Sequence, residues 1–146
     1  MRILLVNGPN LNMLGSRQPE IYGSMTLQDI IDRVSARAAE LGVELTPFQS
    51  NVEGEIINFL QENGPGADGI IANPGALTHY SLGLRDAFES IQKPFVEVHI
   101  SNIHAREEFR HHSVLADIAV AQVAGLGWRG YIAALDGLVG ILNDRK

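Results

Sequence analysis

Two short stretches carry side chains of the type and spacing needed for proton transfer. In Phe95-Val96-Glu97-Val98-His99-Ile100-Ser101, two-residue alternation along a strand puts Val96, Val98 and Ile100 on one face and Glu97, His99 and Ser101 on the other. A Glu and a His inside a covered sheet need a reason, because an unpaired buried polar group costs about 1 to 3 kcal/mol. One reading is an edge strand with a solvated face. The other has Glu97 orienting His99 and favouring its protonated form, a general acid that works near neutral pH. The second stretch is the long polar loop Asn7 to Gly23, which carries Arg17 and Tyr22. On their own, Tyr22 is an aromatic anchor and Arg17 a solvated cation. Brought together under a lid that excludes water, a guanidinium about 4 Å from the phenol contributes up to roughly 4 kcal/mol. That is equivalent to about 3 pKa units, enough to make a tyrosinate base.

Weaker signals surround these two. Asn10 and Asn12 offer amides for a developing negative oxygen. His79 follows the turn Asn73-Pro74-Gly75, at the start of an expected helix, where free amides and a side chain would hold an oxygen-rich ligand. Arg106 and Arg110, four apart, would share a helical face and pair with neighbouring glutamates. His104, His111 and His112 with Glu107 and Glu108 lack the spacing of a metal site, so no metal is expected. Asn7-Gly8-Pro9-Asn10 has the look of a phosphate-binding turn, yet neither of the glycine-rich nucleotide signatures is present. A flavodoxin-like module binding flavin or nucleotide at this loop is the alternative to an enzyme.

The elements that must position these groups are legible as alternating patterns. Residues 2 to 6 are a continuous apolar run, as in a strand covered on both faces. Leu27, Ile30, Ile31, Val34, Ala38 and Leu41 recur at helical spacing, with Ser24 or Thr26 as N-cap and Gly42 as the stop. Val43 to Phe48 is a second strand, and Ile56, Ile57, Phe59 and Leu60 mark a second helix ended by Asn63-Gly64-Pro65-Gly66. Gly69 to Ala72 is a third strand, followed by a helix from about Thr78 to Ile91 with a stripe of Leu82, Leu84, Ala87, Phe88 and Ile91. Phe95 to Ile100 and Ile118 to Ala124 complete the strands, and a last helix carries Ile132, Leu135, Leu138, Val139 and Leu142. The expected fold is α/β, a flavodoxin-like, doubly wound, five-stranded parallel sheet in a single domain spanning residues 1–146. Its carboxyl edge would gather the clusters Asn7-Asn12, Gln49-Asn51, Asn73-Gly75 and His99-Asn102, where ligands sit in such sheets.

Bulk properties limit the function classes. One domain of 146 residues supports a full core, and no apolar run approaches the roughly 18 residues of a membrane span. The absence of cysteine excludes thiolate catalysis and disulfides and fits a reducing cytoplasm. A net charge of -6 without a basic stripe argues against nucleic-acid binding but leaves room for a small anionic substrate if local cations override the field.

The motifs at the strand ends carry a resemblance. Asn7-Gly8-Pro9-Asn10-Leu11-Asn12 with Leu14-Gly15, Arg17, Pro19 and Tyr22-Gly23 resembles the opening of the type II 3-dehydroquinate dehydratases. So do Gln49-Ser50-Asn51 with Glu53-Gly54, Asn73 to Ala76 with Thr78-His79 and Asp86, and Glu97 to Asn102 with Arg106-Glu107 and Phe109-Arg110. The resemblance covers essentially the whole chain. It implies a cofactor-free trans-dehydration of 3-dehydroquinate to 3-dehydroshikimate through an enolate. Carried over to matching positions, Tyr22 is the base and Arg17, on a lid of about residues 15–24, supports its ionised form. Asn10 stabilises the enolate through a water, and His99, backed by Glu97, protonates the departing hydroxyl. Asn73 and the backbone amides of Ile100 and Ser101 hold the carboxylate. His79, Arg110 and Asp86 bind ring hydroxyls, Asp86 from a neighbouring subunit of a dodecamer built of trimers. Leu77 stands where Tyr is frequent and Gly83 where Ala is usual, and neither removes a chemical group from the mechanism.

Overall fold

The computed structural model describes residues 1–146 except Arg17, Gly23 and the side chain of Tyr22. Its centre is a five-stranded sheet in the order β2-β1-β3-β4-β5, formed by β1 (Arg2–Asn7), β2 (Glu44–Gln49), β3 (Gly69–Asn73), β4 (Phe95–His99) and β5 (Ala121–Ala124). All four pairings are parallel. The order, with α helices on both faces, is the expected flavodoxin-like arrangement. The helices are α1 (Pro19–Tyr22), α2 (Leu27–Glu40), α3 (Glu53–Asn63), α4 (Leu82–Ile91) and α5 (Arg129–Asp144).

Alternation along the strands divides the core in two. Ile3, Leu5, Ile71, Val96, Val98 and Ile100 pack with Ile30 and Val34 of α2 and with Tyr131, Leu135 and Leu138 of α5. Leu4, Val6, Ile70, Ala72 and Phe95 pack with Ile56 and Leu60 of α3 and with Leu84 and Phe88 of α4. Thr26 caps α2 through a reciprocal capping box with Asp29, so of the two expected caps it is Thr26 that acts.

Three expectations are corrected. Strand β4 lies between β3 and β5, and Glu97 and His99 are both buried, which removes the reading of a solvated edge. The helix expected from Thr78 is broken: Gly75–His79 forms a 3-10 turn, and α4 begins only after Ser81, whose hydroxyl accepts from the Leu84 N–H. Leu82, placed in the buried stripe, is therefore on the outside of the first turn, 62% exposed. The last strand is confined to Ala121–Ala124, because residues 113–119 fold back over the sheet. There Leu115 is buried in the α3/α4 core, and Arg85 holds the segment through the Val114 carbonyl and Asp117.

Register brings the strand ends into line: Asn7 pairs with Gln49 on one side and Asn73 on the other, and Glu97 with Gln122. The loops after β1 and β3 are also packed together. The Gly8 N–H donates to the Asn73 carbonyl at 2.8 Å, and a Cβ on Gly8 would lie 2.3 Å from the Pro74 carbonyl oxygen. Overpacking of this kind costs typically about 1 to 3 kcal/mol. Gly8→Ala should lower stability by at least that amount, read as a drop in the urea midpoint; an unchanged midpoint would show that the two loops separate freely.

Candidate active site

A small cleft, open to solvent, lies at the carboxyl edge of the sheet. The loop after β1 lines it through Pro9, Asn10 and Leu11, and the loop after β3 through Asn73, Gly75, Ala76 and His79. The third wall is the segment after β4, with His99, Ile100, Ser101, Ile103, Arg106 and Arg110. Of the residues singled out from sequence, the fold thus brings together Asn10, Asn73, His79, His99, Ile100, Ser101 and Arg110. Glu97 stands directly behind His99. Asp86 is exposed on α4 and outside the lining of its own chain's cleft. The proposed pair of Arg17 and the Tyr22 side chain lies outside the described residues.

Behind the cleft lies a buried dyad of titratable side chains. His99 Nε2 is 2.6 Å from Glu97 Oε2, with Glu97 wholly buried and His99 5% exposed. Bonding through Nε2 leaves Nδ1 as the ring nitrogen available to the cleft. Burial by itself would push the Glu97 carboxyl up, but hydrogen bonds from His99, Ser113 and Gln122 outweigh it and hold the group below the usual range. Ser113 Oγ donates to Oε1 at 2.6 Å and Gln122 Nε2 to Oε2 at 2.7 Å. Ser113 is itself fixed by the backbone N–H groups of Leu115 and Ala116. The carboxylate is thus ionised and fully engaged, able to orient the imidazole and to compensate a positive charge on it.

His79 does something different. Its Nδ1–H donates to the His112 carbonyl at 2.8 Å, and burial, reinforced by the fields of His99 and Arg110, pushes its pKa down. The ring is neutral at pH 7, and Nε2 remains as a lone-pair acceptor, suited to a ligand hydroxyl. It lies nearly parallel to the His99 ring, with centroids 6.4 Å apart.

The remaining wall supplies donors. Asn73 is 2% exposed, its Oδ1 accepting from the Gly75 N–H and its Nδ2 donating to the Tyr131 hydroxyl. Asn10 adopts a left-handed backbone with φ 70°, and its N–H donates to Asn51 Oδ1, tying the loop after β1 to the end of β2. Arg106 and Arg110 do not share a helix as expected: residues 103–110 form two 3-10 turns, Ile103–Ala105 and Glu108–Arg110. Both guanidinium-bearing side chains nevertheless line the cleft. Arg106 approaches Ser101 Oγ at 3.4 Å, and Arg110 is paired with Glu107 at 2.7 Å. Among the described residues no group of three or more His, Asp or Glu side chains is arranged to hold a metal ion.

Sequence reasoning missed Ser113, Gln122 and Tyr131, and read Arg106 only as a surface cation. The signal for Gln122 was present in principle, since a strand beside β4 in register puts one residue directly opposite Glu97. Ser113 and Tyr131 depend on long-range folding and leave no local pattern.

The Glu97 bonds make a pH prediction. A carboxyl whose folded pKa is depressed contributes stability that is fully present above its unfolded value, about 4.3, and is lost as pH falls through the folded value. Gln122→Leu removes one donor to the ionised form, at a cost of about 1.5 to 3 kcal/mol. Stability by urea titration, followed by the single Trp128, should therefore drop at pH 7, with the gap to wild type closing below about pH 4 as the carboxyl protonates. A gap of constant size across this range would show that Gln122 does not stabilise the carboxylate.

Comparison with known proteins identifies the family. The family model for Dehydroquinase class II matches residues 1–139. A 3-dehydroquinate dehydratase of Roseiflexus castenholzii is 58% identical over 140 residues, covering 96% of this chain and 89% of that protein. A catabolic 3-dehydroquinase 2 of Neosartorya fischeri is 55% identical over 134 residues, covering 92% and 89%. Among solved structures, the type II dehydroquinase from Butyrivibrio crossotus superposes with a TM-score of 0.93 at 45% identity, covering 95% of this chain and 97% of that one. The chain belongs to the class II dehydroquinase family.

Proposed function

We propose that the chain is a lyase that catalyses the trans-dehydration of 3-dehydroquinate to 3-dehydroshikimate, in the shikimate or quinate pathway. The observation that carries this reading is the buried Glu97–His99 dyad opening onto a cleft with amide and guanidinium donors. The reaction needs a base beside the substrate ketone and an acid at the departing hydroxyl, and it needs no redox chemistry.

In the first half, the phenolate of Tyr22 takes the proton from the carbon next to the ketone, and the C–H electron pair moves onto the ketone oxygen as an enolate. Asn10 stabilises that oxygen through a bridging water. Arg17, carried with Tyr22 on the lid segment 15–24, favours the ionised phenol. In the second half the enolate pair returns to form the C=C bond, the C–O bond breaks, and the hydroxyl leaves as water with a proton from His99. Glu97 compensates the charge on the imidazole before that transfer. Proton exchange with solvent resets Tyr22 and His99. The substrate carboxylate is held by Asn73 and the backbone N–H groups of Ile100 and Ser101, and ring hydroxyls by His79 and Arg110. A neutral His79 suits this role because it accepts from a hydroxyl where a cation would not.

The same reading places the protein in the cytoplasm as a dodecamer built of trimers, with Asp86 reaching a neighbour's cleft. In support, Asp86 is exposed away from its own cleft, and Tyr80 and Leu82, a few residues before it, leave large apolar groups 64% and 62% exposed. Light scattering that gave a monomer would remove the role of Asp86.

The direct test is the rise of ultraviolet absorbance of the conjugated enone when 3-dehydroquinate is added. Tyr22→Phe and His99→Ala should each lower kcat by roughly 10² to 10⁴. Undiminished turnover in Tyr22→Phe would eliminate the assigned base, and no turnover by wild type would eliminate the dehydratase reading.

A further inference from the structure

On the sheet face opposite the acid dyad, three buried polar side chains form a one-way chain of hydrogen bonds. Asn7 and Asn73 are register partners at the ends of β1 and β3. By alternation from Leu5 and from Ile71, both point toward α5. Tyr131, in the first turn of α5, is the largest of the fully buried side chains among the described residues and reaches both. Asn73 Nδ2 donates to its hydroxyl at 2.8 Å, and the hydroxyl donates to Asn7 Oδ1 at 2.7 Å.

The direction of this chain follows from one backbone group. Gly75, held at φ +62° beneath the Pro9 carbonyl, aims its N–H at Asn73 Oδ1 at 3.1 Å. That bond fixes which end of the Asn73 amide is oxygen. Nδ2 must then face Tyr131, so the phenol oxygen accepts and its single hydrogen goes to Asn7 Oδ1. Asn7 Nδ2 is left as a buried donor with no partner among the described residues. With Oδ1 held by Gly75 and one Nδ2 hydrogen held by the phenol, the second hydrogen of Asn73 Nδ2 stays uncommitted, on a residue that lines the cleft. Burial pushes the Tyr131 phenol up, against the bond from Asn73, so the hydroxyl stays protonated and the chain keeps its polarity at all working pH values.

We propose that Tyr131 is a positioning residue for substrate binding, which holds the Asn73 amide with its donor hydrogen toward the cleft so that it recognises a carboxylate oxygen. This rests on the dehydratase reading. Without the hydroxyl, Asn73 Nδ2 loses its acceptor and the amide is held at its oxygen end alone, by the Gly75 N–H, so the side chain turns about that bond and its second hydrogen is no longer held toward the cleft. Because a carboxylate contact is equally strong in ground and transition states, its loss falls on KM and leaves kcat nearly untouched.

The test is a double-mutant cycle with Tyr131→Phe and Asn73→Ala, measuring kcat and KM for 3-dehydroquinate together with thermal unfolding. Tyr131→Phe should raise KM about tenfold with little change in kcat. In the Asn73→Ala background the same substitution should raise KM no further, since both act through one amide. A lower unfolding temperature with unchanged KM makes Tyr131 a structural residue only and overturns the inference, as does a KM effect that is additive with Asn73→Ala. Should Tyr131→Phe fail to fold, Asn7→Ala leaves the phenol in place and removes its acceptor. The hydroxyl then competes for Asn73 Oδ1, and KM should again rise; an unchanged KM overturns the inference. Failure of the dehydratase reading is distinguishable, because wild type itself then produces no enone.

Discussion

A fully buried carboxylate in an interior strand is the constraint around which this molecule is arranged. An isolated charge in an apolar interior is so costly that it survives only when every oxygen is engaged. For Glu97 the partners come from three separate parts of the chain: His99 two residues on, Ser113 beyond the strand, and Gln122 on the neighbouring strand. Each requirement shapes the fold. Gln122 must stand opposite Glu97, which sets the register of β5, and Ser113 must turn back over the sheet, which delays the start of β5 until Ala121. Arg85 of α4, bonded to Val114 and Asp117, secures that turn. The late start of the last strand is thus part of the arrangement that keeps the acid site ionised.

The periodic part of this arrangement was legible in the sequence and the long-range part was not. Strands β1 and β3 and helix α2 follow from apolar runs and helical spacing, and the polar residues just after each strand mark the site. Alternation alone put Glu97 and His99 on the face away from Val96, Val98 and Ile100. What failed were readings in which a tertiary bond overrides local pattern. Ser81 takes the N-cap of α4 because its hydroxyl meets the Leu84 N–H, so the helical spacing that included Thr78 and Leu82 was misleading. The spacing of Arg106 and Arg110 suggested a helix, yet two 3-10 turns carry them to the cleft. Tyr131 gave no signal, since nothing in its surroundings indicates that two asparagines from β1 and β3 will converge on it.

Charge follows the same division between local and global. The chain carries a net charge of -6, which by itself would repel an anionic substrate. The cleft reverses this with Arg106 and Arg110 on one wall and with donors at Asn73 and the strand-end loops. Glu107 pairs with Arg110 from outside and holds the guanidinium in place. At short range in a partly desolvated cleft such fixed groups outweigh distant surface carboxylates, which are screened within about 10 Å at ordinary ionic strength.

The two faces of the sheet divide the work of the site. Glu97 and His99 alternate with Val96 and Val98 and so project on the side of α3 and α4, the side on which Phe95, Phe88 and Leu115 are buried. Asn7 and Asn73 project on the side of α5, where Tyr131 joins them. Only at the carboxyl edge do the two sets approach one cleft, and the Gly8–Asn73 and Gly75–Asn73 bonds make that edge stiff. In the proposed mechanism the proton donor and the carboxylate-recognising amide are thus built on opposite faces of the sheet. The base in that mechanism comes from the connection that follows β1 and the acid from the sheet, so the two proton transfers are made by groups whose positions are set by different parts of the fold.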